Sequence, residues 1–517
     1  MSSENQTVVS VKTGKLEGEF KNGVYAFKGI PYAAPPVGDL RWLPPQPPVS
    51  WSGVRPAGQY GAMAPQNLMA APSDSPGSPD FGDVSQEEDC LFLNVWTPGL
   101  DNARRPVLFW IHGGAFIIGA GSESFLDNGS LVKRGDIVLV SINYRLGPLG
   151  FMNLNEITGG KIPATGNEGL LDQVAALEWV RDNIAAFGGD PDNVTVSGFS
   201  AGGMSVGTLL GFPAAAGLFQ KAMNRSGAAN IVGTLERAVE ISAQFIKVLG
   251  LKRDDADGMR NLTVQQLLDG QQQLGEVLRQ QENRATPFQP VVDGGTLPEF
   301  PMTAIRKGSA KGVTLMAGNS RDELKAMNAM NPALNSLDEA GLIENLNKIA
   351  PPEIVPGLVN AYRASMQQGG AAVKPQDILG SVNTDVMFRI PTIRLVEAQR
   401  DIGERAYNYL FAWKSPAMGG ALGAMHGLDN PFLFGSLDAR FTGNGPDAES
   451  LSTKLQDSCA AFMHTGDPSC ESAGKWSEYG TDRMTMIWDK EARVEAAPYE
   501  EERRAWDDYD IISTTPM

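Results

Sequence analysis

Three short apolar runs constrain this chain more than any other feature: Val107-Leu108-Phe109-Trp110-Ile111, Ile137-Val138-Leu139-Val140-Ser141-Ile142 and Val194-Thr195-Val196-Ser197. Each is short and rich in β-branched residues, the pattern of a buried strand. Between the second and third, Leu170, Val174, Leu177, Val180 and Ile184 recur at spacings of three and four, which lays one apolar stripe along a helix. Strand, helix and strand in that order imply a parallel sheet. Val313-Thr314-Leu315-Met316-Ala317 and Tyr407-Asn408-Tyr409-Leu410-Phe411 read as further strands. The expected fold is therefore α/β, a mostly parallel central sheet flanked by helices and interrupted by large insertions.

The chain has 517 residues, 42% of them hydrophobic and 20% charged, the composition of a folded, loop-rich protein. No linker divides it, so one domain over 1–517 is expected, with pocket-lining insertions around 64–86 (Pro/Ser/Gly-rich) and 331–391 (mainly helical). The net charge of −17 argues against a nucleic acid or an anionic membrane as partner, because both would be repelled. Monomer is the expected state. No apolar stretch follows Met1-Ser2-Ser3-Glu4-Asn5 and no run reaches membrane length, which reads as cytoplasmic. Cys90, Cys459 and Cys470 form neither a disulfide framework nor a CxxC pair, and the chain has only three histidines. Reduced thiols, no metal and no cofactor are expected.

Gly198-Phe199-Ser200-Ala201-Gly202 follows a strand and precedes helix-compatible sequence, the context in which G-x-S-x-G exposes a nucleophilic serine on a strained turn. His112-Gly113-Gly114-Ala115 follows the strand ending at Ile111, where a glycine loop can aim backbone N–H groups at a substrate oxygen. The N–H groups of Gly113, Gly114 and Ala201 would form that oxyanion hole. A general base must come from His112, His426 or His464. His112 heads the glycine loop and His464 sits in helical sequence, which leaves His426, in the loop after a strand. The acid must precede it and follow a strand, which points to Asp322 or Glu323.

These residues lie within a longer series of ordered motifs. Phe27-Lys28-Gly29-Ile30-Pro31-Tyr32-Ala33, Glu88-Asp89-Cys90-Leu91-Phe92-Leu93-Asn94, Asn143-Tyr144-Arg145-Leu146-Gly147, Phe187-Gly188-Gly189-Asp190-Pro191 and Pro290-Val291-Val292-Asp293-Gly294 are joined by His426-Gly427 and Phe434-Gly435. Together they resemble the type-B carboxylesterases, which include bacterial para-nitrobenzyl esterases, liver carboxylesterases and cholinesterases. The resemblance implies an α/β-hydrolase fold and a bacterial serine carboxylesterase acting on small-molecule esters without a cofactor. An amidase or carbamate hydrolase using the same residues is the alternative. A non-catalytic binding module is the remaining one, and the retained triad weighs against it.

The resemblance also implies that Glu323 is the triad acid, that Ser226 and Asp429 support the histidine, that Gly113-Gly114-Ala115 is a loop type with room for bulky alcohol groups, and that Ala115 and Phe116 line the substrate pocket. Two departures stand out. Ala64 replaces the cysteine that extracellular relatives pair with the equivalent of Cys90, and Leu324 follows the acid where many relatives have glycine.

Overall fold

All five apolar runs become strands of one eleven-stranded sheet in the computed structural model, which describes residues 7–68, 80–282, 287–329, 331, 334, 336–367 and 373–509. The strands are β1 (Glu19–Lys21), β2 (Val24–Pro31), β3 (Phe92–Thr97), β4 (Arg105–Ile111), β5 (Val138–Ile142), β6 (Gly189–Phe199), β7 (Lys221–Arg225), β8 (Thr314–Ser320), β9 (Ala406–Phe411), β10 (Met484–Trp488) and β11 (Arg493–Ala496). Their order is β11-β10-β9-β8-β7-β6-β4-β5-β3-β2-β1. Every pairing from β10 to β5 is parallel, and antiparallel strands close both edges. The expected mostly parallel sheet is thus present, within a mixed one.

Alternation along β4 shows why its whole sequence is apolar. Val107, Phe109 and Ile111 enter one core cluster, together with Leu170, Val174, Leu177, Val180 and Ile184. Leu108 and Trp110 enter the cluster on the other face, with Leu451, Leu455 and Phe462 of the helix Pro446–Thr465. A strand with period two and helices on both faces has no solvent side to make polar. The helix predicted from the stripe spans Glu168–Asn183, and Ile184 falls in the 3-10 turn that follows.

The segment expected to end at Pro391 does not end there. After helices Glu339–Leu346 and Val355–Gln367, the helix Pro375–Thr384 runs into a π-helical turn at Asp385–Arg389 and on into Ile390–Asp401. Pro391 follows directly on the π-turn, whose last bond runs from the Ile390 N–H to the Asp385 carbonyl, so the proline marks a change of helix type rather than a boundary. Leu342, Leu358, Tyr362, Ile378 and Val382 form a third core, completed by Trp506. Of the other expected insertion, 64–86, residues 69–79 lie outside the described residues.

Strand register positions the site. Ile111 pairs with Gly198, Phe199 with Arg225, Arg225 with Gly318, and Ser320 with Phe411. The C-terminal ends of β4, β6, β7, β8 and β9 therefore lie side by side. They converge where β4 has β5 on one side and β6 on the other, the switch point at which open α/β sheets leave a crevice.

Candidate active site

Ser200 joins β6 to the helix Ala201–Leu209 with φ 57° and ψ −123°, a backbone conformation that costs a side-chain-bearing residue roughly 1–3 kcal/mol. Its surroundings hold it there. The Ser200 N–H donates to the Arg225 carbonyl at 3.0 Å and the Met204 N–H donates to the Ser200 carbonyl at 2.8 Å. At Gly202 a Cβ would overlap the Ile111 carbonyl oxygen and lie 2.7 Å from that of His112, so the turn must carry glycine to pack beneath β4. Ser200 itself remains half-buried.

His426 lies in the turn between β9 and the short helix Asp429–Phe434, and its Nδ1 donates to Glu323 Oε2 at 2.5 Å. Glu323 is fully buried, and its second oxygen accepts the Ser320 N–H at 2.7 Å. The imidazole packs against two rings, Phe199 at 4.5 Å and Phe388 at 5.0 Å between centroids. Because Phe199 immediately precedes Ser200, this contact brings His426 to the elbow.

Asp322 points elsewhere. Its Oδ2 accepts the Ala424 N–H at 2.8 Å and pairs with Arg321 at 2.9 Å, and its own N–H donates to the Ala424 carbonyl. Burial raises this carboxyl, but Arg321 and the Ala424 N–H outweigh burial and hold it below the usual range. Asp322 therefore ties the histidine loop to the acid turn. Leu324 is buried in the core, and its backbone is not among the left-handed residues, so nothing at this turn requires glycine.

The loop after β4 turns through left-handed backbone at Gly114, Ala115 and Phe116. It closes with the Ile117 and Ile118 N–H groups donating to the Gly114 carbonyl, and the Gly147 N–H donating to that of Phe116. None of these turn bonds uses the N–H of Gly113 or Gly114. A Cβ at Gly113 would lie 3.1 Å from Ser200 Cβ, which measures how closely the loop approaches the serine. Ala201, at the N-terminus of its helix, is fully buried. Phe116 is fully buried against Phe151, with ring centroids 5.0 Å apart.

His112 is fully buried, stacked on Tyr144 at 4.4 Å, and its Nδ1 donates to the Gly113 carbonyl at 2.8 Å. Burial lowers its pKa to about 4, so it stays neutral and holds the loop. His464 is exposed and bonds the Gly135 carbonyl.

Asp429 is fully buried, but its carboxylate takes Arg225 at 2.5 Å and the Tyr409 hydroxyl at 3.4 Å. Ser226 is buried with a hydroxyl that has no hydrogen-bond partner among the described residues. Neither makes a hydrogen bond to His426, the support the resemblance implied. Among the described residues no group of three or more His, Cys, Asp or Glu side chains is placed to hold a metal ion, and no helix is long and apolar enough to cross a membrane.

Sequence reading missed Gln66, whose side chain accepts the Gly119 N–H and donates to the Gly119 carbonyl, pinning the glycine loop from a distant segment. It also missed Phe388, Arg225 and the ring contact of Phe199. None carries a local signal, since a phenylalanine against an imidazole looks in sequence like any core residue.

The sequence model of the carboxylesterase family matches residues 5–506. A para-nitrobenzyl esterase of Bacillus subtilis (strain 168) is 38% identical over 96% of this chain and 98% of its own length. A phenmedipham hydrolase of Pseudarthrobacter oxydans is 35% identical over 94% and 96%. Among solved structures, the Geobacillus stearothermophilus carboxylesterase EST55 at pH 6.2 superposes with a TM-score of 0.84 at 35% identity, covering 97% of this chain and 100% of that one. A thermophilic PNB esterase superposes with a TM-score of 0.84 at 38% identity, covering 97% and 99%.

Proposed function

The chain belongs to the carboxylesterase family and is a carboxylic ester hydrolase, and from that premise we propose that Ser200, His426 and Glu323 carry the reaction. The observation that supports this most directly is the buried Glu323 bonded to Nδ1 of an imidazole packed beside the strained Ser200 turn. With Nδ1–H held by the carboxylate, Nε2 is left as the proton acceptor.

His426 takes the Ser200 proton as Oγ attacks the ester carbonyl carbon. The N–H groups of Gly113, Gly114 and Ala201 receive the oxyanion, each donor contributing roughly 3 kcal/mol to the transition state. Collapse breaks the bond to the alcohol oxygen, which leaves with the proton from His426. Water, deprotonated by the same histidine, then attacks the acyl carbon and releases acid and serine.

Ser226 and Asp429 are the supporting residues: Asp429 pairs with Arg225, whose carbonyl accepts the Ser200 N–H, and Ser226 is the next residue in the chain. The loop Gly113-Gly114-Ala115 leaves room for bulky alcohols, and Phe116, fully buried against Phe151, backs that loop from the core. The chain works as one catalytic unit, a reading supported by the way its last strands join the same sheet. It works in the cytoplasm, where the free thiols of Cys90, Cys459 and Cys470 would stay reduced.

The test is p-nitrophenyl ester turnover and organophosphate labelling. Ser200→Ala is expected to lower kcat by roughly 10⁴- to 10⁶-fold and abolish labelling while the fold is kept. Near-normal turnover by that variant would overturn the assignment.

A further inference from the structure

The π-helical turn Asp385–Arg389 contributes Phe388 to the packing of His426, and the same turn is gripped from the far end of the chain. Arg389 makes a two-pronged contact with Asp385, Nε to Oδ1 at 2.7 Å and Nη2 to Oδ2 at 2.5 Å. Nη2 also donates to Glu502 Oε2 at 3.1 Å, and the guanidinium lies over the Tyr499 ring, 5.6 Å from its centroid. The Tyr362 hydroxyl donates to Asp385, and the Trp506 indole N–H donates to that hydroxyl at 2.8 Å. Arg389, Asp385 and Glu502 are all nearly inaccessible, with side chains 8%, 4% and 8% exposed. The helix Glu500–Arg504 and Trp506 thus close over the turn that presents Phe388.

Burial of these charges is costly, and a hydrophobic turn of the same volume would serve stability as well or better. A buried guanidinium between two carboxylates does something a greasy contact cannot. Its planar fork has one geometry, so it sets the rotation of the turn and with it the place of the neighbouring ring. With the Phe388 ring displaced, the imidazole would be held only by Phe199 and its single Glu323 bond and could tilt.

We propose that Arg389 is a positioning residue for ester hydrolysis: gripped by Asp385 and Glu502, it fixes the π-turn so that Phe388 holds the His426 imidazole, and so makes the catalytic geometry depend on the C-terminal helix. The proposal rests on His426 as the base. It acts on kcat rather than on substrate binding, because the displaced group is the proton acceptor.

The test is a double-mutant cycle on p-nitrophenyl acetate with Arg389→Met, Phe388→Ala and both, in the full chain. Each single variant is expected to lower kcat by roughly tenfold or more with KM changed by less than about twofold, and the double variant to match the worse single one. Multiplying losses, or a loss confined to KM, overturn the proposal. Should Arg389→Met not fold, Glu502→Ala leaves the Asp385–Arg389 pair balanced. It is expected to lower kcat alone, and Glu502→Gln, which can still accept from Arg389, to restore it. Glu502→Ala with unchanged kcat overturns the coupling to the C-terminal helix. His426→Ala separates the two readings: if it retains turnover, both fail, and if only it loses turnover, the role of Arg389 fails alone.

Discussion

His112 ties the stability of the fold to pH through the loop beside Ser200, and the effect follows from burial alone. The ring is fully inaccessible, stacked on Tyr144, with Nδ1–H given to the Gly113 carbonyl and Nε2 without a partner among the described residues. A charged ring there would lose its hydration without gaining a counter-charge, which lowers its pKa from 6.5 to about 4. Between those values the unfolded chain binds a proton that the folded one refuses, so this contribution is complete above pH 6.5 and is lost as pH falls toward 4. Going from pH 8 to pH 4.5 the folded state should lose roughly 2–3 kcal/mol through this residue. Because the chain has only three histidines, imidazole NMR resolves the titration directly. Urea denaturation of wild type and His112→Gln at the two pH values gives the energy as a difference of differences, in which the buried acids common to both chains cancel. An imidazole of His112 titrating at 6 or above, or identical pH dependence in the two chains, would refute the reasoning.

Glu323→Gln should keep the fold and the shape of the Ser200 site yet lower kcat by roughly 10³- to 10⁴-fold, because the amide no longer stabilises the imidazolium. Steady-state kinetics with little change in KM would bear this out. Gly202→Ala places a methyl group against the Ile111 and His112 carbonyls. It should destabilise the chain by about 1–3 kcal/mol and also depress kcat, measured by thermal melting and turnover together. Arg145 and Asp172 form a buried bidentate pair, 2.7 Å at its closest and 3% and 0% exposed. Asp172→Ala strands the guanidinium and should cost about 3–5 kcal/mol in urea denaturation, a loss below about 1 kcal/mol being incompatible with the pair as described.

What the sequence determined by itself is what neighbours along the chain decide. Whether Val107 to Ile111 forms a strand depends on β-branched and aromatic side chains in one short run. Whether Leu170 to Val180 forms a helix depends on a spacing of three and four, and whether Ser200 can sit on a sharp turn depends on the glycines beside it. These are local energies, and they can be read without knowing what lies opposite. Choosing between Asp322 and Glu323 is different, because adjacent carboxylates leave the turn in different directions and only the loop after β9 meets one with His426 and the other with Ala424. Tertiary structure alone brought Phe388, Gln66, Arg225 and Glu502 to positions around the site. Each acts across a long stretch of chain, and its partner is selected by the order of strands in the sheet and the packing of inserted helices. A contact of that kind leaves no period and no motif, since its energy belongs to two distant residues at once.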